Sequence, residues 1–208
     1  HKSFHEVRLH TEAVLYPGEY TVEISFEAPI TRGMTGIYPC YFDDDGVEKK
    51  LFATQFESHH AREAFPCIDE PEAKATFCLT LTTRNGVELL SNTPIAFQKT
   101  LNDTLVTTFE TTPRMSTYLL AFVAGEIQKK TGKTKSGVEV NTWATVAQPR
   151  DSLGFALDVA IKSIEYFEGY FGVPYPLAKA DHVALPDFSS GAMENWGLIT
   201  YRERLLLA

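Results

Sequence analysis

The sequence predicts a mainly β protein, in which an antiparallel β-sandwich or saddle is followed by the opening of an α/β segment. Three observations support this order. Apolar and polar residues alternate in many short runs over the first two-thirds of the chain, turn-forming residues separate those runs, and a helical stripe follows Gln148 and Pro149. Alternation with a period of two is typical of half-buried strands, and many short strands at such spacing favour packed antiparallel sheets.

The clearest predicted strand covers residues 20–27, where apolar and polar side chains alternate almost without error. Similar runs predict further strands at residues 51–57, 75–83, 105–110, 117–127 and 138–146. Turn signals separate the runs at residues 16–18, 43–46, 84–86, 101–103 and 129–137. We therefore expect short turns to connect successive strands.

The period changes after Pro149 from that of a strand to that of a helix. One apolar stripe with helical spacing consists of Leu153, Leu157, Ala160, Ile161, Ile164, Phe167 and Phe171. This spacing predicts an amphipathic helix, which Asp151 or Ser152 can cap and Gly172 can end. Apolar stretches at residues 182–185 and 198–201 then predict strands.

The change of period predicts a domain boundary. Residues 1–147 form the predicted β-rich domain, and residues 148–208 form the start of a second domain. With one helix and two or three strands, the second segment has a marginal core of its own. We expect it to be the beginning of a larger α/β domain.

Composition narrows the possible partners. The 208 residues carry a net charge of −8 and contain no run rich in lysine or arginine, so nucleic acid is not an expected partner. No apolar stretch approaches the ~20 residues that a membrane helix needs. The three cysteines, Cys40, Cys67 and Cys78, fit neither a disulfide framework nor a paired metal site. Free thiols in a reducing cytoplasm are the expected state.

The run GAMEN at residues 191–195 can carry binding chemistry. Gly191 has no side chain, so another backbone can approach it closely, and an exposed extended segment there can pair with a bound peptide. Glu194 would then place a carboxylate where a peptide's free α-ammonium could form charge-assisted hydrogen bonds. The residues alone leave a second interpretation open, a loop in which Gly191 turns the chain and Glu194 faces water.

A second block, TQFESHHAR at residues 54–62, is followed by FPCIDEP at residues 65–71. The neighbouring His59 and His60 do not have the spacing of a metal pair, because neither a strand nor a helix places them on one face. The chain contains no H-E-x-x-H zinc motif. Cys67 could in principle be a nucleophile, but its apolar and proline neighbours favour a packed thiol.

The two blocks, in this order, resemble the long motifs of the M1 family of zinc aminopeptidases, and the resemblance extends over essentially the whole chain. It implies a β-saddle domain followed by a thermolysin-like catalytic domain. It also implies a zinc ion held by two histidines and a glutamate, all downstream of Ala208, and first strands that precede His1. The overall pattern is similar to bacterial, cytoplasmic members. We therefore expect a fragment that is inactive alone and binds no metal.

The resemblance also assigns roles to residues of this chain. It implies that Glu194 anchors the amino terminus of a peptide substrate, that Gly191 and Ala192 clamp its backbone, and that Met193 lines the pocket for its first side chain.

From the second block, the resemblance implies that Gln55 and Glu57 add an amide and a second carboxylate for the same ammonium. The expected partners are peptides with a free amino terminus and the rest of the catalytic domain. The alternative from another class is a non-catalytic β-rich binding or scaffolding module.

Overall fold

A computed structural model describes residues 5–207 as three β-sheets and one long helix. The strands of this part of the chain are β1 (Gly36–Asp44), β2 (Val47–Gln55), β3 (Thr80–Arg84), β4 (Glu88–Ser91), β5 (Ile95–Leu101), β6 (Thr104–Phe109), β7 (Phe122–Gly125), β8 (Ile127–Lys133), β9 (Glu139–Thr145), β10 (Lys179–Leu185), β11 (Ala192–Met193) and β12 (Leu198–Arg202). The helices are α1 (Leu153–Phe171) and α2 (Glu203–Leu206), with 3₁₀ turns at Ala61–Glu63, Thr117–Leu119 and Arg150–Ser152.

Two of the sheets are antiparallel, with strand orders β1-β2-β7-β4 and β3-β6-β5. The third has the order β11-β12-β10-β9-β8, and in it β10 runs parallel to both β9 and β12. Helix α1 connects β9 to β10, which makes a β-α-β crossover. The mainly β prediction with an α/β opening is therefore confirmed.

The hairpin between β1 and β2 shows how the sequence fixes a turn. Asp45 and Gly46 both have positive φ, 51° and 82°. The Gly46 N–H donates to Asp43 Oδ1 at 2.9 Å. Two positive φ values in a two-residue loop match the right-handed twist of the flanking strands, so the turn predicted at residues 43–46 is confirmed.

Helix α1 packs its first half on β8 and β9. Gly132 of β8 permits the close approach, because a Cβ there would lie 2.6 Å from Ile161 Cδ1. Gly172 ends the helix with φ 66° as predicted, but the predicted N-terminal cap is wrong. Ser152 makes no side-chain cap, and its hydroxyl donates instead to the Pro149 carbonyl oxygen at 2.7 Å.

The second half of α1 departs from the predicted stripe, because Phe167 and Phe171 are 51% and 65% exposed. They border an open groove of about 870 Å³, whose floor includes His182 and Tyr201. Tyr166 and Tyr170 stack beside them and are also exposed. None of the helices in residues 5–207 is long and apolar enough to cross a membrane.

The largest core cluster lies between the four-stranded and five-stranded sheets. It unites Tyr38, Leu51 and Val123 of the former with Val183 and Leu198 of the latter. The five-stranded sheet itself combines β8 and β9 with strands that follow α1. The division at residues 147 and 148 stays a prediction, and the sheet is continuous across that position.

The strand predicted at residues 20–27 is wrong. This segment is exposed and pairs with no strand in the described part of the chain. Its apolar side chains Val22, Ile24 and Phe26 are 57%, 44% and 52% exposed. Alternation indicates which face of a strand is apolar, but a ladder also needs a partner backbone at its edge.

Other predicted elements differ in extent. Residues 117–127 contain a 3₁₀ turn before β7, and beside it the hydroxyls of Ser116 and Thr117 donate to the carbonyl oxygens of Pro71 and Ile68. The predicted turn at residues 129–137 begins inside β8, where pairing with β9 holds polar residues in a ladder. Within residues 75–83 only the end is a strand, and β1, β4 and β5 were not predicted.

Candidate functional site

Strand β11 lies at the edge of the five-stranded sheet. Ala192 pairs with Tyr201 and Met193 with Thr200, and the Arg202 N–H donates to the Gly191 carbonyl oxygen at 2.9 Å. On its other side β11 has no ladder partner among residues 5–207. Gly191 and Ala192 are exposed, so an extended chain could add to this edge through backbone hydrogen bonds.

Side chains alternate along this edge strand as strand geometry requires. Met193 is only 3% exposed and packs in the largest core cluster, whereas Glu194 is exposed. The carboxylate therefore stands at the open end of the edge strand. The pocket-lining role of Met193 stays a prediction, since the structure gives this side chain a core position.

Gln55 and Glu57 lie where β2 ends. Gln55 is the last residue of that strand and is 5% exposed, and its Oε1 has no hydrogen-bond partner in the described part of the chain. Phe56 is buried in the core, and Glu57 is exposed beyond it. A buried amide oxygen without a partner is costly, so this oxygen has an unmet acceptor capacity at the end of β2.

The two blocks meet where the strands of the four-stranded sheet end. Strands β2 and β4 are both antiparallel to β7, so they run in the same direction. Their C-terminal ends therefore lie side by side, roughly 10 Å apart across two strand spacings. Asn92 follows β4 at this end of the sheet. Its Nδ2 donates to the Trp196 carbonyl oxygen at 2.8 Å, which attaches the loop after Glu194 to the end of the sheet where Gln55 emerges.

A buried charged pair supports the same loop. Lys179 and Asp181 are 9% and 2% exposed, with Nζ 2.7 Å from Oδ2. The other carboxylate oxygen of Asp181 accepts hydrogen bonds from Asn141 Nδ2 at 2.8 Å and Trp143 Nε1 at 3.1 Å. Burial lowers the pKa of the Lys179 ammonium, and the charge of Asp181 opposes that shift.

The segment before the edge strand is held by β1. The Asp187 carbonyl oxygen accepts from Tyr38 Oη at 3.2 Å and Cys40 Sγ at 3.3 Å, and its Oδ2 accepts from the Tyr41 N–H at 2.8 Å. Burial raises the pKa of the Cys40 thiol to about 12. Cys40 is therefore a packed hydrogen-bond donor.

Sequence reasoning missed Asn92, Lys179, Asp181 and Asp187. One signal was available for two of them. A lysine and an aspartate two positions apart open a strand that is otherwise apolar, and that spacing puts both on one face. Two opposite charges on a face that must be buried indicate an internal ion pair.

The histidine pair does not form a metal centre. The rings of His59 and His60 stack with centroids 4.8 Å apart, and His60 Nδ1 lies 2.8 Å from Glu63 Oε1. Within residues 5–207, no group of three or more histidine, cysteine, aspartate or glutamate side chains is placed to hold a metal ion. Nearby, burial raises the pKa of Cys67 to about 11, which disfavours its thiolate.

Comparison with known families agrees with this arrangement. Residues 2–119 match the Peptidase M1 N-terminal domain, and residues 155–208 match the Peptidase family M1 domain. The first match alone covers more than half of the sequence, and the chain belongs to the M1 peptidase family. The matches do not favour the alternative of a non-catalytic binding module.

The relatives are aminopeptidases. The chain is 57% identical over 193 residues to aminopeptidase N of Lactococcus lactis subsp. lactis, which covers 91% of this chain and 23% of that protein. It is 43% identical over 196 residues to the puromycin-sensitive aminopeptidase of Caenorhabditis elegans, covering 93% of this chain and 21% of that protein. The endoplasmic reticulum aminopeptidase 1 of Rattus norvegicus is 43% identical over 209 residues, covering 99% of this chain and 22% of that protein. The chain thus spans about a fifth of the length of these relatives.

Proposed function

We propose that the complete protein carrying this chain is a zinc aminopeptidase that removes the first residue from peptides, and that this chain binds the amino end of the substrate. The observation that carries the proposal is the open edge of β11 with the exposed carboxylate of Glu194 at its end. The similarity to proteins named as aminopeptidases supports the same reaction.

In the proposed complex the peptide backbone adds to the free edge of β11 beside Gly191 and Ala192. Its α-ammonium lies near Glu194, with Glu57 as a second carboxylate and the unpartnered Gln55 Oε1 as a neutral acceptor. An ammonium group has three N–H donors, so three acceptors can satisfy it. A peptide with a blocked amine would cover these acceptors without pairing them, and this penalty selects for free amino termini.

Family resemblance assigns a zinc ion to the complete enzyme. Residues 5–207 do not offer a ligand set that fits it. We propose that its ligands lie in the rest of the catalytic domain, and that the present residues bind and orient the substrate. The proposed partners are accordingly free peptides and the remainder of that domain.

The proposal is tested with the complete protein. Hydrolysis of an aminoacyl amide is compared with that of its N-acetylated copy, with and without a chelator and added Zn²⁺. We expect turnover of the free amine only, lost with the chelator and restored by zinc. Equal turnover of both substrates would contradict the amino-terminal site, and absence of turnover in the zinc-loaded protein would contradict the activity.

The 208-residue chain alone is predicted to lack aminopeptidase activity and to bind no stoichiometric zinc, because carboxylates without histidines make a poor zinc site. Metal analysis of the purified chain and an aminoacyl-amide assay check this. About one tightly held zinc per chain, or any turnover that resists removal of contaminating proteases, would contradict it.

We also propose a cytoplasmic location. All three cysteines are free thiols, and Cys78 is exposed, which suits a reducing compartment. Fractionation of the source cells with an antibody to this chain tests the location, and recovery in an extracellular or periplasmic fraction would contradict it.

A further inference from the structure

We infer that Lys179 is a positioning residue, whose ammonium ties the Glu194 loop to the end of β4 and so sets the distance between Glu194 and the Gln55–Glu57 segment. The inference rests on the proposed function for its enzymatic consequence. Its structural part depends only on the contacts of the Lys179 ammonium with two carbonyl oxygens and one carboxylate oxygen.

All three N–H donors of Lys179 are used. Nζ donates to the Ser91 carbonyl oxygen at 2.7 Å, to Asp181 Oδ2 at 2.7 Å and to the Gly197 carbonyl oxygen at 2.8 Å. Ser91 is the last residue of β4 and belongs to the four-stranded sheet, whereas Gly197 lies three residues after Glu194. One side chain therefore joins the two regions through their backbones.

Asn92 makes a parallel connection. Its Nδ2 donates to the carbonyl oxygens of Leu119 and Trp196, both at 2.8 Å, and its Oδ1 accepts from the Ala121 N–H at 2.9 Å. Successive carbonyl groups of the loop, at Trp196 and Gly197, are thus each held by a buried side chain. The loop has little freedom to move relative to this end of the sheet.

The contact is close enough to require glycine. Gly197 has φ 71°, and a Cβ there would lie 2.1 Å from the Asn92 carbonyl oxygen. The Gly197 carbonyl also accepts from the Asp181 N–H at 3.1 Å, in addition to Lys179. The loop at Trp196 and Gly197 is therefore held by close backbone packing, by the buried ion pair and by the Asn92 side-chain amide.

On the other side of Glu194, Met193 is fixed in the core. The exposed carboxylate thus extends from a backbone that is held at both ends. Because Ser91 and Gln55 lie at the same end of the sheet, the Lys179 connection fixes the spacing between the acceptors proposed for one ammonium. A misplacement of about 1 Å in such a site can reduce the rate by about 100-fold.

The test compares variants of the complete protein. Lys179→Met with Asp181→Asn removes both charges of the pair, so no buried charge is left alone. Gly197→Ala displaces the loop from β4 while the ion pair is kept. The matched control is Lys130→Met on β8, at the far edge of the same sheet, which removes a lysine from a surface ion pair with Asp151.

Two readouts are used for each variant. The first is the pair of competitive inhibition constants of a short peptide and its N-acetylated copy, together with KM and kcat for an aminoacyl amide. The second is amide hydrogen exchange of residues 192–198 compared with residues 47–55, which needs no activity. Near-ultraviolet circular dichroism gives the folded fraction of each variant.

We expect the double variant and Gly197→Ala to raise KM about 10-fold or more, to reduce the preference for the free amine by a similar factor, and to speed exchange in residues 192–198 only. Lys130→Met should change none of these. Unchanged KM, selectivity and local exchange in a folded double variant would overturn the inference. If that variant does not fold, the same unchanged values in Gly197→Ala overturn it.

Failure of the proposed function gives a different result. In that case the wild-type protein shows no preference for a free amine, while the exchange of residues 192–198 still responds to the variants. A loss of kcat alone, in proportion to the folded fraction, would mean that Lys179 only stabilises the fold, and this also overturns the positioning role.

Discussion

Glu194 and Glu57 are both exposed carboxylates just beyond a strand, but the chain around them is held in different ways. The loop after Glu194 is bonded to residues far away in sequence, because Asn92 and Trp196 are 104 positions apart. Lys179, which bonds the Gly197 carbonyl oxygen of the loop, also bonds Ser91, 88 positions before it. In the described part of the chain, the side-chain hydrogen bonds of residues 58–62 reach only near neighbours, such as His60 to Glu63 and Arg62 to Asp69.

This difference separates two ways of placing a charge. Long-range bonds fix a carboxylate relative to the rest of the molecule, whereas local bonds fix only the shape of its own turn. We therefore expect Glu194 to set the position of a bound ammonium and Glu57 to supplement its charge. The following predictions test that division, from the largest expected effect to the smallest.

Glu194→Ala in the complete protein should lower kcat/KM for free-amine peptides by about 10³- to 10⁴-fold. Loss of a charge-assisted contact of ~1.5–3 kcal/mol accounts for about 10- to 100-fold, and misplacement of the substrate adds about 100-fold. Steady-state kinetics on matched free and acetylated peptides measure both effects. Glu194→Gln keeps the shape and should lose less; near-normal kcat/KM and amine selectivity in Glu194→Ala would make Glu194 a surface residue.

The stability of the region around Glu194 should also fall in acid, because this region contains the buried side chain of His182. Its Nδ1 lies 3.0 Å from the hydroxyl of Tyr201, which pairs with Ala192 of β11. Burial lowers the pKa of His182 to about 4, although the charge of Asp181 opposes the shift. Because the unfolded chain binds this proton near pH 6.5, stability from this group is complete above that pH and is lost as the pH falls to about 4.

The loss of unfolding free energy should be about 3 kcal/mol, because each tenfold change in proton affinity corresponds to ~1.4 kcal/mol. Denaturant unfolding of the chain between pH 7.5 and pH 4 measures it, with His182→Gln as the variant that cannot titrate. The variant should lack this part of the pH dependence, while the contribution of carboxylates remains in both proteins. Parallel curves for the two proteins would show that His182 is not the group responsible.

Glu57→Ala should lower kcat/KM about 10-fold, near the smaller limit for a charge-assisted contact, because Glu194 and Gln55 still hold the ammonium. The measurement uses the same peptides as for Glu194→Ala. Exposed Glu48→Ala on β2, the strand that precedes Glu57, is a matched control and should have no effect. An effect of Glu57→Ala equal to that of Glu194→Ala would abolish the proposed division.

The smallest expected effect is a difference in thiol reactivity between the segment after Glu57 and the segment before Glu194. Cys78 is exposed and should react first with a disulfide reagent. Cys67 in the second block should follow, since burial raises its pKa to about 11, and Cys40 beneath Asp187 should be protected, with a pKa of about 12. Mass spectrometry of timed samples gives the order, and three thiols are expected after denaturation. Faster labelling of Cys40 than of Cys67 would contradict the predicted order.

Much of the framework could be predicted because periodicity reports burial directly. The stripe from Leu153 to Ile164 predicted the packed part of α1, and the short apolar runs predicted β10 and β12. The run at residues 20–27 failed because an alternating pattern does not specify a partner strand. The prediction that Phe167 and Phe171 face a core was wrong for a related reason. The apolar stripe continues along α1 beyond the part of the helix that packs on the sheet.

The candidate site could be predicted only in part. Its motifs name Glu194 and Glu57, but the residues that hold the Glu194 segment lie in or next to β1, β4 and β10, and only the spacing of Lys179 and Asp181 gives a signal in the sequence. Lys179 is recognisable as a support only when Ser91 and Gly197 are seen within reach of its ammonium. Contacts between distant positions follow from the topology, which the local pattern does not contain.

The outward face of α1 makes the chain in isolation an amphiphile. The rings of Tyr166, Phe167, Tyr170 and Phe171 lie next to one another on this face and are all exposed to solvent. Contiguous apolar patches of this kind adsorb detergents, hydrophobic dyes and one another. Its colloidal behaviour should therefore depend on concentration and on added surfactant, even though a net charge of −8 keeps separate molecules apart at low ionic strength.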